Sequence, residues 1–343
     1  MKIVIFGTNW IGDAVMTIPA IRELRRLFPE AELTLYTRRW AKGIFRDCDF
    51  IDQIITPDEE AGGPKGVMSE AKLWRNRRFD LAVLFTNSFR TALIAGMGGA
   101  RRRFGYSNEG RGFLLTDSIP KPRWKETKHE VYYYLNLVSA AEQRLLGTDT
   151  AKNAEVNTAL EVSEARRKAA LELLASKGAG APGPIIGFGV GSQNSDAKRW
   201  IDERFAKLGD NLENDFNASV VLLGSANETA ASLAVMKASM GSPVDLTGKT
   251  TLDEATAVLA ALDLFISNDM GLAHVSSAVG TRTLTVFGPT NPLTTRPWNG
   301  EIVRRRDVDC SPCMLRQCPI DHRCMQRISV EEVLEKARSL LNA

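Results

Sequence analysis

The sequence predicts an α/β protein with two doubly wound parallel sheets, and three observations support this. Short apolar runs alternate with helix-like periodic segments along almost the whole chain. Several runs, such as 81–85, are continuously apolar, as in strands buried on both faces. The chain has 343 residues, more than one typical domain needs. We therefore expect two similar α/β domains.

In the first half, apolar runs bounded by turn residues predict the strands, and apolar spacings near 3.6 predict the helices. The predicted strands are 3–6, 33–36, 53–55, 81–85 and 102–105. The predicted helices are one that begins near Asp13 and ends at Pro29, with a kink or first turn at Pro19, and then 41–45, 67–78, 89–97, 130–145 and 163–176. A turn-rich stretch, 57–66, precedes the third of these helices.

The second half repeats the same rhythm after a stretch rich in glycine, alanine and proline, 177–184, which we interpret as a linker. The predicted strands are 185–188, 220–223, 244–246, 264–267 and 283–287. The predicted helices are 202–212, 228–240, 252–262, 271–279 and a C-terminal helix to about 341. Capping-box patterns mark the starts of two of them, at Thr251 and Ser329. The predicted domains are therefore 1–177 and 184–328, followed by a segment 329–343.

The composition is that of an ordinary soluble protein, with 44% hydrophobic and 25% charged residues. No apolar run approaches the roughly 18 residues that a membrane-spanning helix needs. The first apolar run is short, predicts a strand and leads to no small-residue cleavage site, unlike a signal peptide. We therefore expect a cytoplasmic location.

The net charge of +3 is unevenly distributed, since residues 1–180 hold 28 Lys and Arg against 22 Asp and Glu, and the remainder 16 against 19. The surplus is clustered at Lys72, Arg75, Arg77 and Arg78, at Arg101, Arg102 and Arg103, at Arg111, and at Lys121, Arg123, Lys125 and Lys128. These clusters indicate either solvated faces or an anionic partner. Trp74 and Trp124 lie within two of them, which would suit a membrane interface. A net charge of +3 is modest for a nucleic-acid binder.

The first candidate site follows the first strand, where Gly7 and Gly12 bracket a polar loop and Asp13 stands at the start of a helix. The loop lacks the Lys-Ser/Thr pair of a phosphate-binding P-loop and is not a dinucleotide fingerprint. Ligands of open α/β sheets bind at this carboxyl edge. Asp13 is therefore either a helix N-cap or a general base that removes a proton from a hydroxyl group.

The second candidate site combines two stretches of the second half. The strand 185–188 continues into glycines and Ser192, with Lys198 shortly after, so backbone N–H groups and an ammonium could hold a diphosphate. The stretch 267–274 ends a strand and begins a helix, and it contains Asp269, Met270, Gly271 and His274. The start of that helix suits an anion. The glycine pattern fails as a dinucleotide fingerprint, which disfavours a dinucleotide oxidoreductase.

Four of the five cysteines, Cys310, Cys313, Cys318 and Cys324, lie within fifteen residues. The first pair has the Cys-x2-Cys spacing of zinc sites, but the second pair is spaced more widely than in zinc ribbons. Packing or redox-sensitive thiols are the preferred interpretation, and a structural zinc is the alternative. We expect no metal and no cofactor.

Together these stretches resemble the lipopolysaccharide heptosyltransferases of the ADP-heptose type, glycosyltransferase family 9. The resemblance covers nearly the whole length and depends on five stretches: 7–19, 197–200, 267–274, 286–290 and the cysteine-rich 310–324. It implies the two-domain GT-B fold, with the C-terminal helix crossing back to pack on the N-terminal domain. It also implies metal-free, inverting transfer of L-glycero-D-manno-heptose from ADP-heptose to the first heptose of the lipid A–Kdo–heptose acceptor. The enzyme would act peripherally at the cytoplasmic face of the inner membrane, without nucleic acid.

The resemblance also assigns roles to individual residues. Asp13 matches the catalytic base, and Lys198 matches a lysine near the diphosphate. The remaining donor-site residues that it implies are Ser192, Glu228, Thr247, Gly248, Asp269, Met270, Gly271 and His274. The sequence departs from the family at 193–196, which leaves the diphosphate contacts before Lys198 undefined. A different acceptor, a nucleotide-sugar epimerase on the same scaffold, and a zinc-dependent nucleic-acid binder are the alternatives.

Overall fold

The chain forms two compact units, Met1–Thr158 and Ala159–Ala343, in a computed structural model. The structure describes residues 1–57, 63–180, 182–193 and 195–342. Parts of four predicted segments lie outside these residues: 58–62 of the turn-rich stretch, Ala181 of the linker, Asn194 of the stretch that departs from the family and Ala343 of the C-terminal segment. Over the described ranges, no helix combines the length and apolar character needed to cross a membrane.

In the first unit, the described residues form a six-stranded parallel sheet of order β3-β2-β1-β4-β5-β6. Its strands are β1 (Lys2–Phe6), β2 (Glu32–Tyr36), β3 (Gln53–Ile55), β4 (Leu81–Leu84), β5 (Arg102–Tyr106) and β6 (Asp117–Ile119). The helices between and after them are α1 (Ile11–Met16), α2 (Ile18–Leu27), α3 (Gly63–Arg77), α4 (Phe89–Met97) and α5 (Glu130–Leu146).

The second unit opens with α6 (Glu164–Ser176) and contains a sheet of the same topology, β12-β11-β10-β7-β8-β9, again six parallel strands in the described residues. Its strands are β7 (Ile185–Gly189), β8 (Ser219–Leu222), β9 (Val244–Asp245), β10 (Leu264–Asn268), β11 (Arg282–Phe287) and β12 (Glu301–Arg304). The remaining helices are α7 (Asp202–Phe216), α8 (Thr229–Ala238), α9 (Leu252–Ala260), α10 (Gly271–Ala278), α11 (Pro292–Thr295), α12 (Arg323–Gln326) and α13 (Val330–Leu341).

The predicted fold class is confirmed, and the strands that the sequence missed are the edge strands β6 and β12. Both are short and incompletely buried, so neither carries the continuous apolar run of a central strand. The predicted helix at 41–45 is a 3₁₀ turn, Arg39–Gly43. The predicted discontinuity near Pro19 is present, since α1 ends at Met16 and Pro19 lies in the first turn of α2.

The predicted domain boundary at 177–184 is corrected, because the units divide between Thr158 and Ala159. The N–H of Leu160 donates to the Ala278 carbonyl at 2.8 Å, within the second unit. Arg166 of α6 pairs with the Asp253 carboxylate at 2.6 Å and also donates to its carbonyl. The helix before the predicted linker is therefore part of the second unit.

The apolar face of α13 is buried in the core of the second unit, and its packing on the N-terminal domain stays a prediction. Val330, Val333 and Leu334 join a cluster with Phe188 of β7 and Trp200. A capping box at Ser329 begins the helix as the sequence predicts, with the Glu332 N–H donating to the Ser329 hydroxyl at 3.2 Å.

Trp74 does not face a lipid surface, contrary to one expectation from the basic clusters. Its side chain is 1% exposed and packs edge-on against Tyr36 and Phe79 in the core of the first unit. Beside it, Glu70 of α3 is also buried, accepts a hydrogen bond from the Tyr36 hydroxyl at 2.7 Å and pairs with Arg90. The α3 cluster therefore packs its tryptophan inward while its lysine and arginines lie nearer the surface.

Glu142, a buried carboxylate on α5, organises the end of the first unit. Its Oε1 accepts hydrogen bonds from the hydroxyl groups of Thr148 and Thr150, each at 2.7 Å, and its Oε2 accepts from the Ala151 N–H at 2.8 Å. Burial opposes ionisation, but these donors outweigh it and lower the pKa of Glu142 from 4.5 to about 2. The ionised carboxylate thus fixes the loop that follows α5.

We predict that Glu142→Gln lowers the free energy of unfolding at pH 7 by roughly 1.5–3 kcal/mol, the usual contribution of hydrogen bonds to a charged group. Because the folded pKa lies below the unfolded one, this contribution is complete above about pH 4.5 and is lost as the pH falls towards 2. Urea unfolding between pH 3 and pH 7 measures it. Glu155→Gln, at an exposed position, is the control, and equal losses in both variants would contradict the prediction.

Candidate active site

The strand order of the second unit determines where a ligand-binding crevice can form. The strands β7 and β10 are paired neighbours, yet the chain continues from β7 to β8 on one side and from β10 to β11 on the other. Connections that diverge in this way leave a crevice at the carboxyl ends of the two strands, where open α/β sheets bind ligands. The loops after β7 and β10, together with α10, contain most of the donor-site residues that the resemblance implies.

Two glycines in and after β7 allow the crevice walls to approach closely. A Cβ on Gly189 would lie 2.5 Å from the sulfur of Met270, and one on Gly191 would lie 2.3 Å from Oε1 of Glu228. Neither position has room for a larger side chain. The predicted site residues Met270 and Glu228 therefore lie against the same glycine loop, on its two sides, and Ser192 follows at a partly exposed position.

Lys198 is held at the start of α10 by a carboxylate that is itself oriented. The ammonium of Lys198 lies 2.9 Å from Oδ2 of Asp269, and the Thr290 hydroxyl donates to the same oxygen at 2.7 Å. The Asp269 side chain is 7% exposed and that of Lys198 28% exposed. A lysine ammonium has three donors, so this one can bind a further acceptor from the open side.

The start of α10 adds unsatisfied backbone donors beside that ammonium. Met270 is the N-cap without a side-chain cap, and Gly271 is the first helical residue. The first N–H groups of a helix have no intrahelical partner and carry the positive end of the dipole. His274 follows in the same helix and is 5% exposed. The structure thus brings Lys198, Asp269, Met270 and Gly271 together at one position that suits an anion.

Asn268, at the end of β10, fixes this arrangement, and its role was missed by sequence reasoning. Its buried amide accepts a hydrogen bond from the Trp200 N–H at 2.8 Å and donates to the Val190 carbonyl at 2.7 Å. The loop that carries Lys198 is therefore tied to β10 at both of its ends. A polar residue ending a buried strand was the available signal.

Glu228, Thr247 and Gly248 form the other side of the crevice, after β8 and β9. Oε2 of Glu228 accepts hydrogen bonds from the Ser225 N–H at 2.7 Å and from its hydroxyl at 2.9 Å, so this carboxylate is a helix cap as well as a wall. The Thr247 hydroxyl is hydrogen-bonded to that of Ser232 at 2.6 Å. Gly248 has a φ of +70°, and a Cβ there would lie 2.9 Å from Ala226. These contacts make the wall rigid.

Asp13 lies at the corresponding position of the first sheet, beside the β1–β4 pair. The N-cap of α1 is Trp10, with no side-chain cap, and Asp13 is in the first turn. Asp13 as the N-cap is therefore wrong. The Asp13 side chain is partly exposed. The pKa of buried Tyr134 is raised well above its ordinary value, first by the burial of Tyr134 and then by the negative charge of Asp13. A partly exposed carboxylate at this sheet edge suits a general base.

Arg111, which the sequence analysis places among the basic surface clusters, is instead 0% exposed. Its guanidinium donates to the carbonyls of Thr86 and Tyr106, at 2.5 and 2.9 Å, and to the side chain of Asn87 at 3.2 Å. Burial lowers the pKa of Arg111 to about 10. This residue joins the loop after β4 to the end of β5, next to the edge that carries Asp13.

The cysteine cluster shows no preformed metal site. Across 1–57, 63–180, 182–193 and 195–342, no three histidine, cysteine, aspartate or glutamate side chains are arranged to hold a metal ion. Cys310 and Cys313 are exposed, while burial, followed by the neighbouring cysteines, raises the pKa of Cys324 to about 11. Metal independence stays a prediction.

Two Rossmann-type sheets with a glycine-lined crevice at a switch point are the arrangement that nucleotide-binding α/β enzymes use. Residues 68–323 match glycosyltransferase family 9 (heptosyltransferase), and the chain belongs to that family. Lipooligosaccharide heptosyltransferase 2 of Campylobacter jejuni serotype O:2 is 27% identical over 99% of this chain and 98% of that protein. Lipopolysaccharide heptosyltransferase 2 of Escherichia coli K12 is 28% identical over 87% and 85%.

The fold agrees with a solved structure of the same family. The structure of E. coli ADP-heptose lps heptosyltransferase II superposes with a TM-score of 0.84 at 26% identity, covering 100% of this chain and 99% of that one. The fold is that of the GT-B glycosyltransferases, and the protein is a glycosyltransferase.

We predict that Gly191→Ala destabilises the protein by about 1–3 kcal/mol, the usual cost of overpacking, because its Cβ would collide with Glu228. Gly96→Ala in α4 is the matched control, since the nearest atom to its Cβ would be 4.0 Å away. Alanine there should be neutral or slightly stabilising. Chemical unfolding of both variants tests the prediction. An unchanged free energy of unfolding in Gly191→Ala would contradict it and show that the loop can move to accept the methyl group.

Proposed function

We propose that this enzyme transfers a heptose from ADP-heptose to the first heptose of the lipopolysaccharide inner core, with inversion and without a metal. The observation that carries the proposal is the Lys198–Asp269–Thr290 network at the start of α10, placed at the switch point of a family 9 fold. The relatives named heptosyltransferase 2 support this acceptor. The similarity to the E. coli ADP-heptose enzyme supports ADP-heptose as donor.

In the proposed mechanism, Lys198 and the N–H groups at the start of α10 bind the donor diphosphate. Their positive charge stabilises the negative charge that grows on ADP as the bond between the anomeric carbon and the diphosphate oxygen breaks. Asp269 aims the ammonium, and Thr290 holds Asp269. Glu228, Thr247, Gly248 and Ser192 border the nucleoside and sugar, and His274 supports the helix start.

At the reacting carbon, a hydroxyl of the acceptor heptose attacks from the face opposite ADP. Asp13 takes the hydroxyl proton, the new glycosidic bond forms, and ADP leaves with the electron pair of the broken bond. A single displacement of this kind inverts the anomeric configuration, as in inverting glycoside hydrolysis with water replaced by a sugar hydroxyl. We place the reaction at the cytoplasmic face of the inner membrane, where a lipid A–Kdo–heptose acceptor would be presented, and assign nucleic acid no part in it.

The function is tested by incubating the enzyme with ADP-heptose and two acceptors, one lacking heptose and one carrying a single heptose. Mass spectrometry should show the gain of one heptose only on the second. Heptose added only to the heptose-free acceptor would redirect the assignment to another acceptor within the family. Free heptose, or an altered nucleotide sugar with neither acceptor modified, would contradict transfer.

Asp13→Asn should reduce turnover at least about 10²-fold, the scale of a lost general base, while ADP binding is retained. Asn keeps the size of the side chain but cannot accept the proton. Steady-state rates and calorimetry on the same preparation separate the two effects. Asp49→Asn, at an exposed position of the same unit, is the control, and wild-type turnover in Asp13→Asn would remove the base assignment.

Lys198→Ala should weaken ADP binding by roughly 1.5–3 kcal/mol, as expected for a lost charge-assisted contact. It also leaves the buried Asp269 carboxylate facing the diphosphate, which adds repulsion. Calorimetric titration with ADP measures the change, Lys198→Arg should recover part of the affinity, and Lys207→Ala on α7 is the exposed control. Unchanged affinity would exclude Lys198 from the donor site.

A further inference from the structure

A cavity of about 680 Å³ lies on the first unit, away from the β1–β4 edge. One wall consists of residues 119–124 and Lys128, from the end of β6 onwards, and the other consists of a face of α5 together with Asp149 and Lys152, which follow that helix. Tyr132, Asn136, Ser139 and Gln143 line it at helical spacings of three and four, so they share one face of the helix. We name this the Trp124 cavity, after the tryptophan in its first wall.

The charge of the Trp124 cavity is strongly positive. Its cationic lining residues, among those that the structure describes, are Lys121, Arg123, Lys128 and Lys152, and its acidic one is Asp149. Asp149 is engaged within the wall, because its Oδ1 accepts a hydrogen bond from Ser139 at 2.5 Å. Lys121 pairs with Glu126 at 3.0 Å, but both side chains are exposed, so this pair costs little to rearrange. The cations come from both walls and can converge on one anion.

The aromatic side chains of the cavity indicate a lipid rather than a soluble anion. The Lys128 ammonium lies 5.3 Å from the centre of the Trp124 ring, and Trp124 is half-buried. Tyr132 is 36% exposed on the helix wall. Amphipathic aromatic rings beside lysine and arginine are typical of surfaces that sit at the headgroup level of a membrane. Pro120 and Pro122 restrict the backbone around Lys121 and so fix this wall.

Helix α5 separates the cavity from the proposed catalytic acid. Tyr134, outside the cavity lining, is buried against Phe85 and is the residue whose pKa the Asp13 charge helps to raise. The cavity therefore lies beyond the helix from the chemistry and suits anchoring rather than catalysis.

We propose that the Trp124 cavity binds the phosphate-bearing headgroup of an anionic membrane lipid. The cations neutralise the phosphate, and Trp124 and Tyr132 contact the apolar boundary above it. The proposal rests on the proposed function only in that a lipid-linked acceptor brings the enzyme to a membrane. Binding to vesicles requires neither donor nor acceptor, so its failure and the failure of heptose transfer are separate results.

The test is sedimentation of the full chain with vesicles of phosphatidylcholine containing phosphatidylglycerol, compared with pure phosphatidylcholine. Binding should require the anionic lipid. Arg123→Glu on one wall and Lys152→Glu on the other should each reduce the partition coefficient at least about fivefold, the contribution of one cation near an anionic surface. Trp124→Ala should reduce it as well. Lys168→Glu, at an exposed position of α6, makes the same charge change in the second unit and should leave binding within about twofold.

Thermal unfolding checks each variant, and Lys128→Gln provides a milder change if a charge reversal prevents folding. If Lys168→Glu lowered the partition coefficient as much as the cavity variants do, the protein would be held by diffuse charge attraction to the vesicle, and the proposal would be overturned. Loss in Arg123→Glu but not in Lys152→Glu would contradict a cavity with two cationic walls and overturn it too. If low concentrations of glycerol phosphate fully released the protein from the vesicles, the cavity would be a site for soluble phosphates, and the lipid proposal would be overturned. Absence of binding to anionic vesicles would end the proposal.

Discussion

The buried amide of Asn268 is the contact on which the second unit's crevice depends. It joins the end of β10 to both ends of the loop after β7, since it donates to the carbonyl of Val190 at one end and accepts from the backbone N–H of Trp200 at the other. Removing it would leave a buried N–H and a buried carbonyl without this partner, which costs more than the bonds themselves contribute. The position of Lys198 follows from this bridge, because the 3₁₀ turn that ends at Lys198 lies only two residues before Trp200.

The charges in the crevice suit an anion that approaches from solvent. Asp269 balances Lys198, so the ammonium is not an isolated charge beside a low-dielectric wall. A diphosphate carries more charge than this single carboxylate and would compete for the exposed side of the ammonium. The hydrogen bond from Thr290 would keep Asp269 in place during that exchange, so the proposed mechanism has a preorganised lysine.

The sequence was sufficient for the parts of the fold that follow from repeated local signals. Central strands are continuously apolar, so the two sheets could be predicted without coordinates. The switch-point motifs lie directly after these strands, so the candidate donor residues could be placed at that sheet edge, and their roles stay predictions. The edge strands β6 and β12 could not, because their half-solvated residues lack that signal. Trp74 and Arg111 were misplaced on the surface because charge clustering along the chain says nothing about which side of an element each residue occupies. The structural role of Asn268 could not be predicted, because its two hydrogen-bond partners are distant in sequence.

Arg111 has a consequence for the field at the edge of the first sheet. Its guanidinium donates to backbone carbonyls, a hydroxyl and an amide oxygen, which satisfy its geometry but carry no net charge to cancel it. Its pKa, lowered to about 10, still leaves it cationic at neutral pH. The loops after β4 and after β5 thus enclose a positive charge that solvent and salt screen poorly. Carboxylates and phosphates that approach this edge meet an attraction that surface mutations would not remove.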